Sequence, residues 1–194
     1  HYQIYVISDL AYCEIYFDGN PPPSILQVKN AKDIAIEFTS VSKTYSMAGW
    51  RIGFGAGNKH LVGSLTKLKS YLDYGTFLPV QVAATAAING KQDYPEKMRR
   101  LYKERRDVVV KGLADAGWDV PSPDASMFIW APLPEKYKKL GSLEFSKLLL
   151  DKADVAVAPG IGFGPGGDAF VRIALVENKH RLRQAVRNIK EFLA

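Results

Sequence analysis

Residues 34–54, IAIEFTSVSKTYSMAGWRIGF, pass from an apolar stretch through a polar loop holding a lysine into a second apolar stretch. Short apolar runs bounded by polar residues fit buried strands. Residues 3–8, QIYVIS, make another such run, ending at Asp9. The runs at 3–8, 34–39 and 52–56 thus predict buried strands of a mostly parallel sheet, with polar residues gathered where strands end. Ligands of open α/β sheets bind at that carboxyl edge, where Lys43 falls. A lysine there can form a Schiff base with an aldehyde if burial or nearby cations lower its pKa. Arg51, at the mouth of the next strand, is placed to grip a phosphate bidentately, and Ser40 can add a hydroxyl. Taken singly, Lys43 reads better as a surface lysine and Arg51 as an ion-pair partner.

The rest of the chain supplies helices. From Asn58, an N-cap residue, Leu61, Val62, Leu65, Leu68 and Leu72 recur at helical spacing. Pro79 opens an alanine-rich helix that Gly90 can close. A longer helix is expected from Pro95 to about Gly117, with Met98, Leu101, Tyr102, Val108, Val109 and Leu113 on its apolar side. Beyond Gly117 the pattern predicts strands near 118–121, 126–132, 155–158 and 170–175, and helices from Ser142 and Asn178. Strand pairs mixed with covering helices suggest a smaller α+β domain. The expected division is residues 1–95 and 96–194.

Bulk properties exclude several function classes. The net charge of +6 is dispersed over helices that also carry acids, as in MRRLYKERRD (98–107). That is a solvated helix face, not a nucleic-acid footprint. No apolar run reaches transmembrane length and no signal peptide is seen. The single cysteine, Cys13, suits a reducing, cytoplasmic setting and a small apolar role. His1, His60 and His180 show no metal-ligand spacing. The chain begins with His and runs directly into a strand-like pattern, so a segment of a longer protein is expected.

Three further constellations carry chemistry. SDLAY (8–12) sets Asp9 at a strand end with Tyr12 a helical turn away. PGIGFGPGGDAFVRIALV (159–176) satisfies the dinucleotide pattern at Gly162, Gly164 and Gly167. Those glycines lead into a strand, not a helix, so the match is a decoy. The better reading is a pliable loop closing near a substrate, followed by a strand presenting Arg172. An arginine flanked by apolar strand residues is costly to bury without an anion. DYGTF (73–77) interrupts two helices with polar residues.

The pattern S-x-S-K-T-Y-x-x-x-G-x-R-x-G at 40–53 resembles the cofactor-lysine signature of class I/II aminotransferases, the fold-type-I enzymes dependent on pyridoxal 5'-phosphate (PLP). The resemblance implies an α/β fold: the C-terminal half of the large PLP-binding domain plus a small α+β C-terminal domain. It implies that Lys43 is catalytic and carries the cofactor, with Ser40, Ser42 and Arg51 at the phosphate. Asp9 takes the pyridine nitrogen, keeping the ring an electron sink, and Tyr12 the phenolate oxygen. Arg172, in a V-R-I strand after a P-G-x-x-F-G loop, takes the substrate carboxylate. Tyr74 and Thr76 reach the neighbouring subunit of a homodimer. The similarity extends over KSYLDYGTFLPVQVAATAAING (69–90) and VENKHRLRQAVRNIKEFL (176–193), and is closest to the alanine (glutamate–pyruvate) and LL-diaminopimelate aminotransferase-like branch. The expected reaction moves an amino group between an amino acid and a 2-oxo acid, with no metal. The family's N-terminal half is missing, so this segment is expected to be inactive alone. Alternatives are a carbon–sulfur lyase or decarboxylase on the same scaffold, or the PLP-fold domain of a transcription regulator; Arg172 argues against decarboxylation.

Overall fold

The computed structural model describes residues 4–194; His1 and Gln3, the latter the first residue of the strand predicted at 3–8, lie outside that range. The chain divides into two compact units after Arg99. The first holds a three-stranded sheet in the order β1 (Val6–Asp9), β2 (Ala35–Ser40), β3 (Gly53–Gly57). β1 and β2 are parallel, with Asp9 opposite Phe38. β3 instead runs antiparallel to β2, with Ser40 opposite Gly53. The sheet is therefore not parallel throughout, for a physical reason. A parallel return needs a long crossover. Residues 41–52 contain only a one-turn helix, α1 (Val41–Thr44), and a 3-10 turn at Ala48–Trp50, so the chain doubles back.

Two helices follow, α2 (Lys59–Leu72) and α3 (Leu78–Asn89). Asn58 caps α2 by accepting from the backbone N–H groups of His60 and Leu61. Val41, Ile52 and Ala84 form a buried cluster against which Tyr45, Met47 and Val80 pack, so α3 is fastened beneath the lysine turn. α2 buries no residue completely. Leu68, Tyr71 and Leu72 on α2, with Phe77, Leu78 and Val82 beyond it, form an exposed apolar surface.

α4 (Asp93–Ala114) contains the point where the two units divide. The second unit has a sheet in the order β4 (Phe128–Pro132), β6 (Phe170–Ala174), β5 (Ala158–Pro159), all antiparallel. α5 (Gly141–Ala153) and α6 (Lys179–Leu193) cover it, and Leu113, Ile129, Phe145, Leu149, Val171 and Leu175 are its buried centre. The strand predicted at 118–121 does not form. Pro121 and Pro123 remove ladder donors there. Trp118 is buried instead, its Nε1 donating to Pro132 O (2.8 Å) and its ring edge-on to Phe145.

Two of the glycines at 160–167, Gly160 and Gly167, bring backbone against backbone. The segment folds as two 3-10 turns, Gly160–Phe163 and Pro165–Gly167. A Cβ on Gly160 would lie 2.1 Å from Gly167 O and 2.4 Å from Phe170 O. Backbone approaches backbone here, as only glycine permits. Gly160→Ala should therefore destabilise the chain by about 1–3 kcal/mol, read as a lowered thermal midpoint, whereas Gly162→Ala, with open space around it, should cost far less.

Candidate active site

In the first unit the strand register brings the predicted groups to one edge. β1 ends at Asp9 and β2 at Ser40, both at their carboxyl ends. Because β3 is antiparallel, it starts at that same edge, and Arg51 precedes it. A parallel β3 would have begun at the opposite edge, so the inversion is what brings Arg51 to the site.

Each group has a local cause for its position. Asp9 Oδ1 accepts from Ala11 N (3.1 Å), closing a turn that carries Tyr12 back over the edge. Lys43 Nζ lies 5.3 Å from the centroid of the Tyr12 ring, within cation–π range. Ser40 is the N-cap of α1: its Oγ accepts from Ser42 N (3.1 Å), and its proton is in reach of Ile52 O and Ser42 Oγ (2.9 Å each). Arg51 is exposed and left-handed (φ 51°), one Nη donating to Ala48 O (2.8 Å). Its remaining N–H donors stay at the edge. Tyr74, left-handed and 95% exposed, lies with Thr76 in the α2–α3 turn; its ring faces solvent and joins none of these contacts.

Several supporting residues carried no signal in the sequence. Glu37, inside an apolar strand, accepts from Ser24 Oγ (2.7 Å), Ile25 N (2.9 Å) and Ser8 Oγ (3.3 Å), tying the 21–27 segment to β2. Tyr45 Oη donates to Gln92 Oε1 (2.7 Å), while Gln92 Nε2 donates to Ile88 O and Gly90 O at the end of α3. The lysine turn is thereby held at its C-terminal end too. Burial pushes the Cys13 thiol above its ordinary pKa, which suits a packing role rather than a nucleophile.

In the second unit Arg172 stands on β6, half-buried, opposite Trp130 of β4. Its guanidinium carbon lies 4.3 Å from the Phe128 ring centroid and 4.8 Å from that of Phe163. Among the described residues, no hydrogen bond or ion pair engages the guanidinium. It is a cation held by ring faces with its donors available.

The donor set fits pyridoxal phosphate in kind: an amine on a fixed turn, an arginine and two hydroxyls at one edge, and a carboxylate at the neighbouring strand end. The sequence profile of "Aminotransferase class I and II" matches residues 1–189. The chain belongs to the class I and II aminotransferases. This family generally depends on pyridoxal phosphate. Among its aminotransferase relatives, the putative aminotransferase AatC of Rhizobium meliloti (strain 1021) is 62% identical over 193 residues, covering all of this chain and 48% of that protein. Glutamate-pyruvate aminotransferase AlaC of Escherichia coli (strain K12) is 57% identical, over 97% of this chain and 46% of that protein. LL-diaminopimelate aminotransferase 2 of Trichormus variabilis is 43% identical, over 98% and 48%. Among solved aminotransferase-like structures, apo-BacF from Bacillus subtilis superposes with a TM-score of 0.92 at 35% identity, over 98% of this chain and 48% of that one. The aromatic aminotransferase from Pyrococcus horikoshii OT3 gives 0.92 at 30% identity, over 97% and 50%. The chain spans about half the length of the curated relatives it matches. Among the described residues no helix is long and apolar enough to cross a membrane.

Proposed function

We propose that this chain is the lysine-bearing part of a pyridoxal-phosphate-dependent aminotransferase that moves an amino group between an amino acid and a 2-oxo acid. The observation that carries the reading is the single sheet edge holding Asp9, Ser40, Ser42, Lys43 and Arg51. The names of the relatives at 57% and 43% identity favour alanine-, glutamate- or diaminopimelate-type substrates. On this reading residues 1–95 belong to the large cofactor-binding domain and 96–194 to the small one. The complete protein acts as a cytoplasmic homodimer, with Tyr74 and Thr76 facing the partner, and the segment alone does not transaminate.

Lys43, Ser40, Ser42 and Arg51 would hold the cofactor, with Asp9 at its ring nitrogen and Tyr12 at its phenolate oxygen. When bound, the cofactor supplies an electron sink for the pair left as the substrate Cα–H bond breaks. The Lys43 amine takes the proton from Cα and returns one, as base and then acid. Arg51 and the Ser40 and Ser42 hydroxyls fix the phosphate; Ser40 does so by turning its proton from Ile52 O. Arg172 grips the α-carboxylate and sets which substrate bond is aligned for cleavage.

Borohydride reduction with pyridoxal phosphate, followed by peptide mass spectrometry, tests the reading in the complete natural polypeptide. A phosphopyridoxyl adduct is expected on Lys43 alone. Labelling spread over several lysines, or none on Lys43, would remove the central residue of the proposal.

A further inference from the structure

We infer that Ser142 and Asp168 are positioning residues for Arg172, acting through Phe163. The inference rests on Arg172 being the substrate-carboxylate anchor. α5 begins after Leu140, which offers no side-chain cap to its first N–H groups. Asp168, 26 residues away, supplies the cap: its Oδ1 accepts from Ser142 N (2.9 Å) and from Ser142 Oγ (2.8 Å). A carboxylate at a helix N-terminus is favoured by the unpaired donors and by the helix dipole. Ser142 is fully buried, and its Oγ also accepts from Ile161 N (2.9 Å). One hydroxyl thus joins the helix start, the end of the 159–168 loop and the first 3-10 turn within it. The Gly160–Gly167 backbone contact closes the loop from the other side.

Phe163 is the last residue of the turn that Ile161 anchors. Its ring sits against the Arg172 guanidinium and edge-on to Trp130, which stacks on Phe170. Phe163 is 55% exposed, so core packing does not hold it; the anchored turn and the edge contact with Trp130 do. Ring faces attract a guanidinium without using its N–H donors. The latch therefore fixes the arginine's direction while leaving those donors for a planar carboxylate. Without it Arg172 keeps its charge and loses its aim.

The test uses the complete natural polypeptide, with propionate as the carboxylate probe. Its inhibition constant against the amino-acid substrate is measured beside the quenching of tryptophan fluorescence to which Trp130 contributes. Ser142→Ala and Phe163→Leu should each weaken propionate binding and raise KM about two- to fivefold, the range one exposed cation–π contact spans. kcat should fall by no more than a similar factor, because Arg172 also aligns the bond to be broken. The double variant should be no worse than Phe163→Leu alone, since the latch acts through that ring. A lowered melting temperature with unchanged KM and propionate binding in Ser142→Ala would overturn the inference and leave the latch purely structural. Should Ser142→Ala fail to fold, Phe163→Leu, at a surface position, decides the matter: unchanged propionate binding overturns the inference. Arg172→Gln separates the two levels. If it leaves propionate binding intact, the carboxylate reading falls with everything built on it. If it removes binding that Ser142→Ala and Phe163→Leu do not touch, only the latch falls.

Discussion

Lys43→Ala should reduce transamination by the complete polypeptide at least about 10²- to 10⁴-fold, the usual scale for a positioned general acid–base group. Cofactor labelling by borohydride should vanish with it. The fold should survive, because the site turn is held by other residues: Ser40 at its start, Thr44 Oγ1 on Ser40 O, and Tyr45 on Gln92 at its end. Lys43 itself contributes the contact with the Tyr12 ring. Unchanged circular dichroism and melting, with activity lost, would separate chemistry from structure. Activity near the parent level would exclude Lys43 from the reaction.

Arg172→Lys should raise KM for the amino acid by a factor of thirty or more, roughly what losing about 2 kcal/mol of a charge-assisted pair gives. The charge is conserved by this change, so a purely electrostatic role for Arg172 predicts little effect. The geometry predicts otherwise. Phe128 and Phe163 lie against a flat guanidinium, and an ammonium offers neither that plane nor a forked pair of donors. Steady-state kinetics on the lysine variant distinguish the two directly. A KM within about threefold of the parent would mean that charge alone suffices.

Much of the site's setting was legible because strand ends are written locally. The polar residue closing each apolar run, at Asp9 and Ser40, marks where β1 and β2 stop. Strand direction is not written that way: it depends on whether residues 41–52 can cross the sheet, and apolar patterning is blind to it. Composition was also silent on which glycines of 160–167 are needed: Gly160 and Gly167 provide close backbone contact, while Gly162, Gly164 and Gly166 have open space. The links across long sequence separations carried no signal at all. Nothing in GSLEF announces that Ser142 meets Asp168, nor in KQDYP that Gln92 meets Tyr45. A serine or glutamine becomes a fastening only once tertiary structure brings its partner, and both residue types are ordinary on helices and in loops.

The brevity of α1 has a consequence for its amides under hydrogen exchange. A helix of this length (Val41–Thr44) lies far below what can nucleate in water, so its shape is imposed from outside. Its backbone amides, including Tyr45 N on Val41 O, should then exchange not with the quick fraying of a terminal turn but in step with the opening of β2, β3 and α3. Deuterium uptake across peptides 41–45, 53–57 and 78–89 should rise together as denaturant is added. A lysine on such a turn keeps its place for as long as the whole cooperative unit stays closed.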